Sequence, residues 1–264
     1  MHNQRLIEVF TDFERTIIDF IRRNKINAAE YQVAVETIIG SIERGEGSMI
    51  FDTFFEASAT DESSLPTGSP QSMAGPFHRP GAPQLEPPCV LPQRPDEQGD
   101  PLLFGGEVIS SDGVPLAGAQ LDIWQADAAG DYSQFVPGIP EWNLRGRLVT
   151  DEQGRFQVRT IQPPPYQIPT DGPTGAVLSA LGRHAWRPAH LHVKVRAAGH
   201  HELTSQLYFV GDPYLDDDAV GGVRDGLMLK IDDHGSVRTA HYRFVLVPLA
   251  SADRSVPSYQ PSLA

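Results

Sequence analysis

The sequence predicts a mainly β protein: an antiparallel β-sandwich preceded by an α-helical N-terminal region. Three observations carry this reading. Apolar residues before position 45 recur at the three-and-four spacing of amphipathic helices. From position 102 onward, short alternating runs are separated by turn signals. Glycine (24) and proline (23) are abundant in the 264 residues, which suits many turns between short strands, while a hydrophobic content of 40% argues against wholesale disorder.

In chain order, Leu6, Val9, Phe10, Phe13, Ile17 and Phe20 mark a helix over 5–23. Tyr31, Val35, Ile38, Ile39 and Ile42 mark a second over 28–44, opened by an Asn27–Glu30 capping box and stopped by Gly45 and Gly47. A third, short helix is expected over 49–57. Residues 61–101 hold 10 prolines, a density that no regular element survives. The apolar Phe77, Leu85, Val90 and Leu91 make this stretch a packed, extended segment. Strands are then expected at 104–109, 119–125, 146–150, 156–161, 190–195, 205–210 and 242–247. In the fourth, Phe156 and Val158 alternate with Gln157 and Arg159, as in a half-buried strand. About seven such runs suggest a sandwich. The domain reading is 1–75 helical, 76–250 sandwich, and 251–264 a flexible tail.

Composition excludes several functions. A net charge of −13 with no basic block argues against nucleic-acid binding. One cysteine, Cys89, excludes a disulfide scaffold or a cysteine-rich metal site. The mixed, charged start is unlike a signal peptide, and no run approaches the ~18 apolar residues of a membrane span. A cytoplasmic location is the expectation.

The chemistry-bearing residues begin with His190-Leu191-His192. On a strand, alternate side chains share a face, so Leu191, Val193 and Val195 point to the core and His190, His192 and Lys194 point away. Two imidazoles roughly 7 Å apart along a strand can grip one metal, but a polar face carrying two histidines explains the pair equally well. His200-His201 reads as a loop, and Asp216-Asp217-Asp218 as a solvated turn without the spacing of a calcium loop. Tyr132 follows a Gly-Asp turn and Tyr166 sits among prolines; taken singly, both read as packing residues with a wet hydroxyl.

Read together, four segments resemble the intradiol ring-cleavage dioxygenases, in their catechol and chlorocatechol 1,2-dioxygenase branch. They are Asp122-Ile-Trp-Gln-Ala-Asp127, Gly130-Asp-Tyr132, Pro165-Tyr-Gln-Ile-Pro-Thr-Asp-Gly-Pro173 and Trp186-Arg-Pro-Ala-His-Leu-His192. The resemblance covers roughly residues 74–248. It implies a non-haem Fe(III) site with Tyr132, Tyr166, His190 and His192 as ligands. A hard ferric ion favours anionic oxygen, and imidazole also suits iron. Two phenolates and a hydroxide would balance three positive charges. The resemblance further implies that catechol binds as a dianion, that Tyr166 takes one of its protons and leaves the metal, and that O2 opens the ring between the two hydroxyl carbons to give a cis,cis-muconate. Arg187 would stabilise developing negative charge. Gln206 and Trp124 would orient and shape the site.

By the same resemblance the substrate pocket is lined near Phe51 and Phe54 and by Met73, Pro76, Phe77, Ala219 and Val220. The family's usual Ile-Glu-Gly-Pro reads Met73-Ala-Gly-Pro76 here, and Ala219 replaces a larger residue, leaving room for a ring substituent. Catechol or a chloro- or methyl-catechol is therefore expected, with hydroxyquinol cleavage to maleylacetate as the alternative. An alternative of another class is a transthyretin-like binding module, because Asp112-Gly-Val-Pro-Leu-Ala-Gly118 also opens such sandwiches. A cupin-type metalloenzyme would need a further Glu and His that no later strand supplies. Residues 5–44 carry more apolar surface than a linker needs, which predicts a homodimer through these helices. The resemblance adds the option of a phospholipid buried between them.

Overall fold

The computed structural model describes residues 2–250, apart from 234 and 236. The tail expected over 251–264 lies outside the described residues. The chain divides into two compact units, Met1–Gly47 and Ser48–Ala264.

The first unit holds α1 (His2–Asn24) and α2 (Ala28–Glu43). The capping box that opens α2 is present: Asn27 Oδ1 accepts from Ala29 and Glu30 N–H, and Glu30 accepts from Asn27 N–H. Leu6, Phe10 and Phe13 on α1 and Tyr31, Val33 and Ile42 on α2 are exposed. No helix among the described residues is long and apolar enough to cross a membrane.

The second unit opens with a continuous helical run: α3 (Met49–Phe51), a π turn (Asp52–Glu56) and α4 (Ala57–Ser63). An extended stretch follows. It is packed, as its apolar residues require: Phe77 and Leu91 are buried, and Gln84 and Val90 each bridge to a strand residue, Arg147 and Arg159.

All seven expected strands form, as β1 (Pro101–Ser110), β2 (Gln120–Trp124), β3 (Arg145–Val149), β4 (Arg155–Ile161), β7 (His190–Arg196), β8 (Leu203–Phe209) and β11 (Arg238–Leu246). Four two-residue strands add to them: β5 (Tyr166–Gln167), β6 (Trp186–Arg187), β9 (Met228–Leu229) and β10 (Asp232–Asp233). A helix, α5 (Pro173–Ala180), has Pro173 in its first turn, where the missing N–H costs nothing.

The strands make two principal sheets, ordered β10-β11-β1-β4 and β3-β2-β7-β8-β9, plus the β5–β6 ribbon. Pairing is mostly antiparallel; β1–β11 and β8–β9 are parallel. The principal core contains Leu102, Phe104 and Val108 from one sheet and Leu121, Ile123, Leu191, Val193 and Val195 from the other. Burying apolar area of this kind contributes about 25 cal/mol per Å². Gly106 allows β1 and β11 to close up, since a Cβ there would meet Tyr242 O at 1.8 Å. A second cluster, separate from this core, gathers Phe77, Trp124, Tyr132, Tyr166, Ile168 and Leu178. It encloses the candidate site.

Candidate metal centre

Strand β7 runs between β2 and β8, so its outward face has neighbours on both sides. Register sets His192 opposite Trp124 and Gln206, and His190 opposite Tyr208. Trp124 stacks on His192 with ring centroids 4.7 Å apart and planes within 9°. Leu191, Val193 and Val195 enter the core, as period-two alternation requires. The two histidines are buried as well. Their tips converge far more than strand spacing alone dictates, with the two Nε2 atoms 3.1 Å apart.

Tyr166 is brought in by the short ribbon. β5 pairs with β6 so that Tyr166 lies opposite Arg187, three residues before His190. Tyr132 is brought in by a turn built on Asp127. That carboxylate accepts from Ala129 N–H, Asp131 N–H and Arg94 Nη2. Gly130 is required there: its φ is +89°, and a Cβ would meet Tyr166 Cβ at 2.7 Å. The Gly-Asp-Tyr sequence thus places both phenols against each other, with centroids 5.7 Å apart. Tyr166 lies 5.5 Å from His190 and Tyr132 6.1 Å from His192, ring centroid to centroid.

Two of these four residues carry polar atoms that the protein leaves unsatisfied. The Tyr132 hydroxyl and His192 Nδ1 are buried without a hydrogen-bond partner. His190 Nδ1 lies 2.7 Å from Pro188 O. A carbonyl only accepts, so the proton sits on Nδ1 and Nε2 is left as an acceptor, met by Arg187 Nη1 at a long 3.4 Å. Burial, and then Arg187, pushes the His190 imidazole down to about 3; burial and His190 push His192 well below its ordinary value. Both rings are therefore neutral. Burial likewise raises both phenols, with the facing Tyr166 adding to the effect at Tyr132. Two neutral imidazoles and two buried phenols, with the Tyr132 hydroxyl and His192 Nδ1 unpartnered, fit a small, highly charged cation, which would turn both phenols into phenolates. Among the described residues no three His, Cys, Asp or Glu gather as a metal group; a cation held here would draw on the two phenols besides the two imidazoles.

Two buried cations border the rings. Arg145 donates to Ser133 Oγ, Ser133 O and Phe77 O, all neutral acceptors, and its guanidinium lies 5.8 Å from the Tyr132 ring centroid. Burial pushes it down to about 10. Arg187 is held differently. Its Nε and Nη2 pair with the two oxygens of Asp218 at 3.0 Å each, and Nη2 also donates to Gln206 Oε1 at 2.9 Å. Burial opposes the charge on Arg187, but Asp218 outweighs it and raises Arg187 well above its ordinary value. This corrects the reading of Asp216–Asp218 as a solvated turn. Asp216 and Asp217 are exposed, but Asp218 is turned inward by accepting from Val220 and Gly222 N–H, and it is 9% exposed.

A narrow cavity adjoins two of the four rings, Tyr166 and His192, together with Arg187. Met73, Pro76, Phe77 and Val220 line it as expected. Phe51, Phe54 and Ala219 do not, for three reasons. The helical residues that reach the cavity are Met49, Asp52, Thr53 and Glu56, at helical spacing, so Phe51 falls on another side, 49% exposed. Phe54 packs beneath the Arg183 guanidinium and against the aromatic cluster. Ala219 is buried, its backbone bound to Trp186 O and Arg183 Nη2. The sequence reading also missed Gly75 and Ile168 in the wall.

Comparison with known proteins agrees with this architecture. The family described as dioxygenase matches residues 73–248. A chlorocatechol 1,2-dioxygenase of Rhodococcus opacus is 42% identical over 255 residues, covering 93% of this chain and 99% of the relative. The crystal structure of 3-chlorocatechol 1,2-dioxygenase from Rhodococcus opacus 1CP superposes with a TM-score of 0.87 at 40% identity, covering 93% of this chain and 99% of that one. That of hydroxyquinol 1,2-dioxygenase from Pseudomonas putida DLL-E4 superposes with a TM-score of 0.82 at 31% identity, covering 93% and 92%. These matches set aside the transthyretin-like and cupin alternatives. The chain belongs to the intradiol ring-cleaving dioxygenase family.

Proposed function

We propose that the protein opens the ring of catechol, or of a chloro- or methyl-substituted catechol, between its two hydroxyl carbons. Both atoms of O2 enter the product, a cis,cis-muconate. The observation that carries this reading is the gathering of the Tyr132, Tyr166, His190 and His192 rings in one buried cluster, with Tyr166 and His192 lining a narrow cavity. Those four residues would hold Fe(III), the cofactor that the family implies. When bound, ferric iron supplies a Lewis acid that takes up the catechol oxygens and makes the ring reactive towards O2.

The protein's own residues do the rest. Tyr132 and Tyr166 supply anionic oxygen, and His190 and His192 supply neutral nitrogen, so the buried charge stays balanced. Tyr166 accepts a proton from the substrate hydroxyl at its phenolic oxygen. Arg187, fixed by Asp218 and by Gln206 Oε1, presents a positive charge that needs no reorganisation as negative charge develops on the ring. Trp124 stacks on His192 and fixes its plane. Phe77, stacked on Tyr132 with centroids 4.3 Å apart, joins Met73, Pro76 and Val220 in an apolar wall that excludes water. A cytoplasmic setting is in keeping with the single cysteine.

Oxygen uptake by the iron-loaded protein tests this reading, with the product followed by its ultraviolet spectrum across catechol, chlorocatechols, methylcatechols and hydroxyquinol. A muconate from catechol or a chlorocatechol is expected. Turnover of hydroxyquinol to maleylacetate alone would overturn the substrate assignment, and no oxygen uptake with any of them would overturn the activity.

The helical unit supports a further reading, that the protein is a homodimer. Leu6, Phe10 and Phe13 of α1 and Tyr31, Val33 and Ile42 of α2 leave more apolar surface in water than scattered exposure accounts for. A second copy of the unit, with or without a phospholipid between the copies, would cover it. Analytical ultracentrifugation at micromolar concentration should give twice the 28.9 kDa chain mass; a monomer would overturn the dimer. Phosphorus analysis of the purified protein decides the lipid.

A further inference from the structure

The backbone of residues 72–77 passes directly over the candidate ligands. Gly75, at φ +66°, lies so close to His192 that a Cβ would stand 3.7 Å from its Cε1. Two residues on, Phe77 covers the Tyr132 ring. Both ends of this strap are tied. Ser72 N–H donates to Thr204 O, Ser72 Oγ to Gly222 O, and Gln206 Nε2 to Met73 O at 2.7 Å. At the other end Arg145 Nη1 donates to Phe77 O at 2.7 Å. The middle is held by a single side chain. Glu56 Oε1 accepts from Ala74 N–H at 3.0 Å and from Gly75 N–H at 3.4 Å.

Glu56 reaches the strap from the end of the π turn. Such turns widen a helix by one residue and frequently sit at functional sites, where they re-aim a side chain. Glu56 also lines the cavity with Asp52, Gly75, Pro76 and Phe77. Its second oxygen, Oε2, is buried without a partner. A carboxyl kept in an unfavourable place has to be repaid by what it holds, and what it holds here is the wall of the cavity.

Resting on the reading of this cavity as the catechol site, we propose that Glu56 is a positioning residue for substrate selection: it latches Ala74 and Gly75, and through them sets Pro76 and Phe77 at the spacing that admits a substituted ring. Burial, with Asp52 adding to it, raises the Glu56 carboxyl above its usual range. The latch does not depend on charge, because either protonation state keeps an oxygen able to accept the two N–H groups.

Three substitutions separate the latch from other roles. Glu56→Gln keeps an accepting oxygen at the same reach. Glu56→Asp keeps the charge but is one methylene too short. Glu56→Ala removes both. Two measurements on the full chain apply: hydrogen exchange of the 72–78 amides, and steady-state kinetics of the iron-loaded enzyme over the catechol panel. In the Ala and Asp variants, exchange at Ala74 and Gly75 should quicken about tenfold or more. KM should rise about tenfold with kcat changed less than about threefold, and the KM ratio between substituted and plain catechols should move towards one. Glu56→Gln should stay within about threefold of wild type in each. Wild-type exchange in the Ala and Asp variants would overturn the latch. Faster exchange with unchanged KM and unchanged discrimination would overturn its role in selection, and so would a Gln variant as impaired as Ala. If Ala fails to fold, the comparison of Asp with Gln decides alone. A wild-type enzyme that cleaves no catechol defeats the proposed function instead, and the exchange measurement still decides the latch.

Discussion

Tyr132→Phe is expected to abolish ring cleavage and to remove most of the visible colour of the iron-loaded protein. The substitution deletes one oxygen and leaves the ring, so Phe77 can still stack where it does and the fold has no reason to change. The electrostatics change completely. In a buried site, two phenolates offset most of the charge of a ferric ion, and losing one leaves a positive charge without compensation in a low dielectric. The cost should exceed the ~10–100-fold that removal of a supporting residue around a metal produces. Tyr166→Phe should act in the same direction and should also lose the group proposed to accept a substrate proton. His190→Ala and His192→Ala should lose iron outright, because each removes one of the two neutral nitrogens of the proposed ligand set. The measurements are iron content per chain, the visible spectrum and oxygen uptake. A full charge-transfer band in both tyrosine variants would defeat the proposed ligand set, whatever their activity.

The histidines and the tyrosines were not equally legible. Period-two alternation in His190–Val195 is enough to put both imidazoles on one face and the valines in the core, and register then supplies Trp124, Gln206 and Tyr208 as neighbours. Nothing local marks Tyr132 or Tyr166. Their strand and turn are too short for periodicity to register, and only the resemblance singled them out. In the structure the physical signal is Gly130, whose missing Cβ lets Tyr166 approach. The long strands were readable for the same reason as the histidines, because each buries one face. The two-residue strands and α5 were not, since a ribbon such as β5–β6 is fixed by tertiary neighbours rather than by its own pattern. The cavity-lining helix was indicated only by the resemblance, as residues near Phe51 and Phe54. Phe51 and Phe54 are the conspicuous apolar residues, yet the side facing the cavity carries Asp52, Thr53 and Glu56. A hydrophobic-periodicity argument assigns such residues to solvent.

Asp218 is the residue that composition hid most completely, as the last of three consecutive aspartates, and replacing it should have the largest effect on stability. Asp218→Ala leaves Arg187 buried with its charge unpaired. Breaking a buried pair from one side costs about 3–5 kcal/mol, more than a typical point substitution. Its contacts with Gln206 Oε1, the Tyr208 hydroxyl and His190 Nε2 are to neutral groups and cannot make up the difference. The loop gives way too, because Asp218 accepts from Val220 and Gly222 N–H, and Val220 lines the cavity. Asp218→Asn should fall between wild type and Ala in stability, keeping an acceptor for the loop but not the charge. The ion pair also sets a pH window. Burial disfavours the charged Asp218 carboxyl, but Arg187 and the hydrogen bonds from Arg187 and Gly222 outweigh it, so the folded value lies below the ordinary 3.8. The stabilisation is therefore complete above the unfolded value and is lost as pH falls through the lower folded one. Denaturant titrations of wild type and Asp218→Asn should lie furthest apart at neutral pH and converge only in strong acid. If Asp218→Ala unfolds within about 1 kcal/mol of wild type, Arg187 has another counter-charge. If it is destabilised as expected but the folded enzyme turns over catechol at the wild-type rate, the pair stabilises the fold and Arg187 needs no fixed position for catalysis.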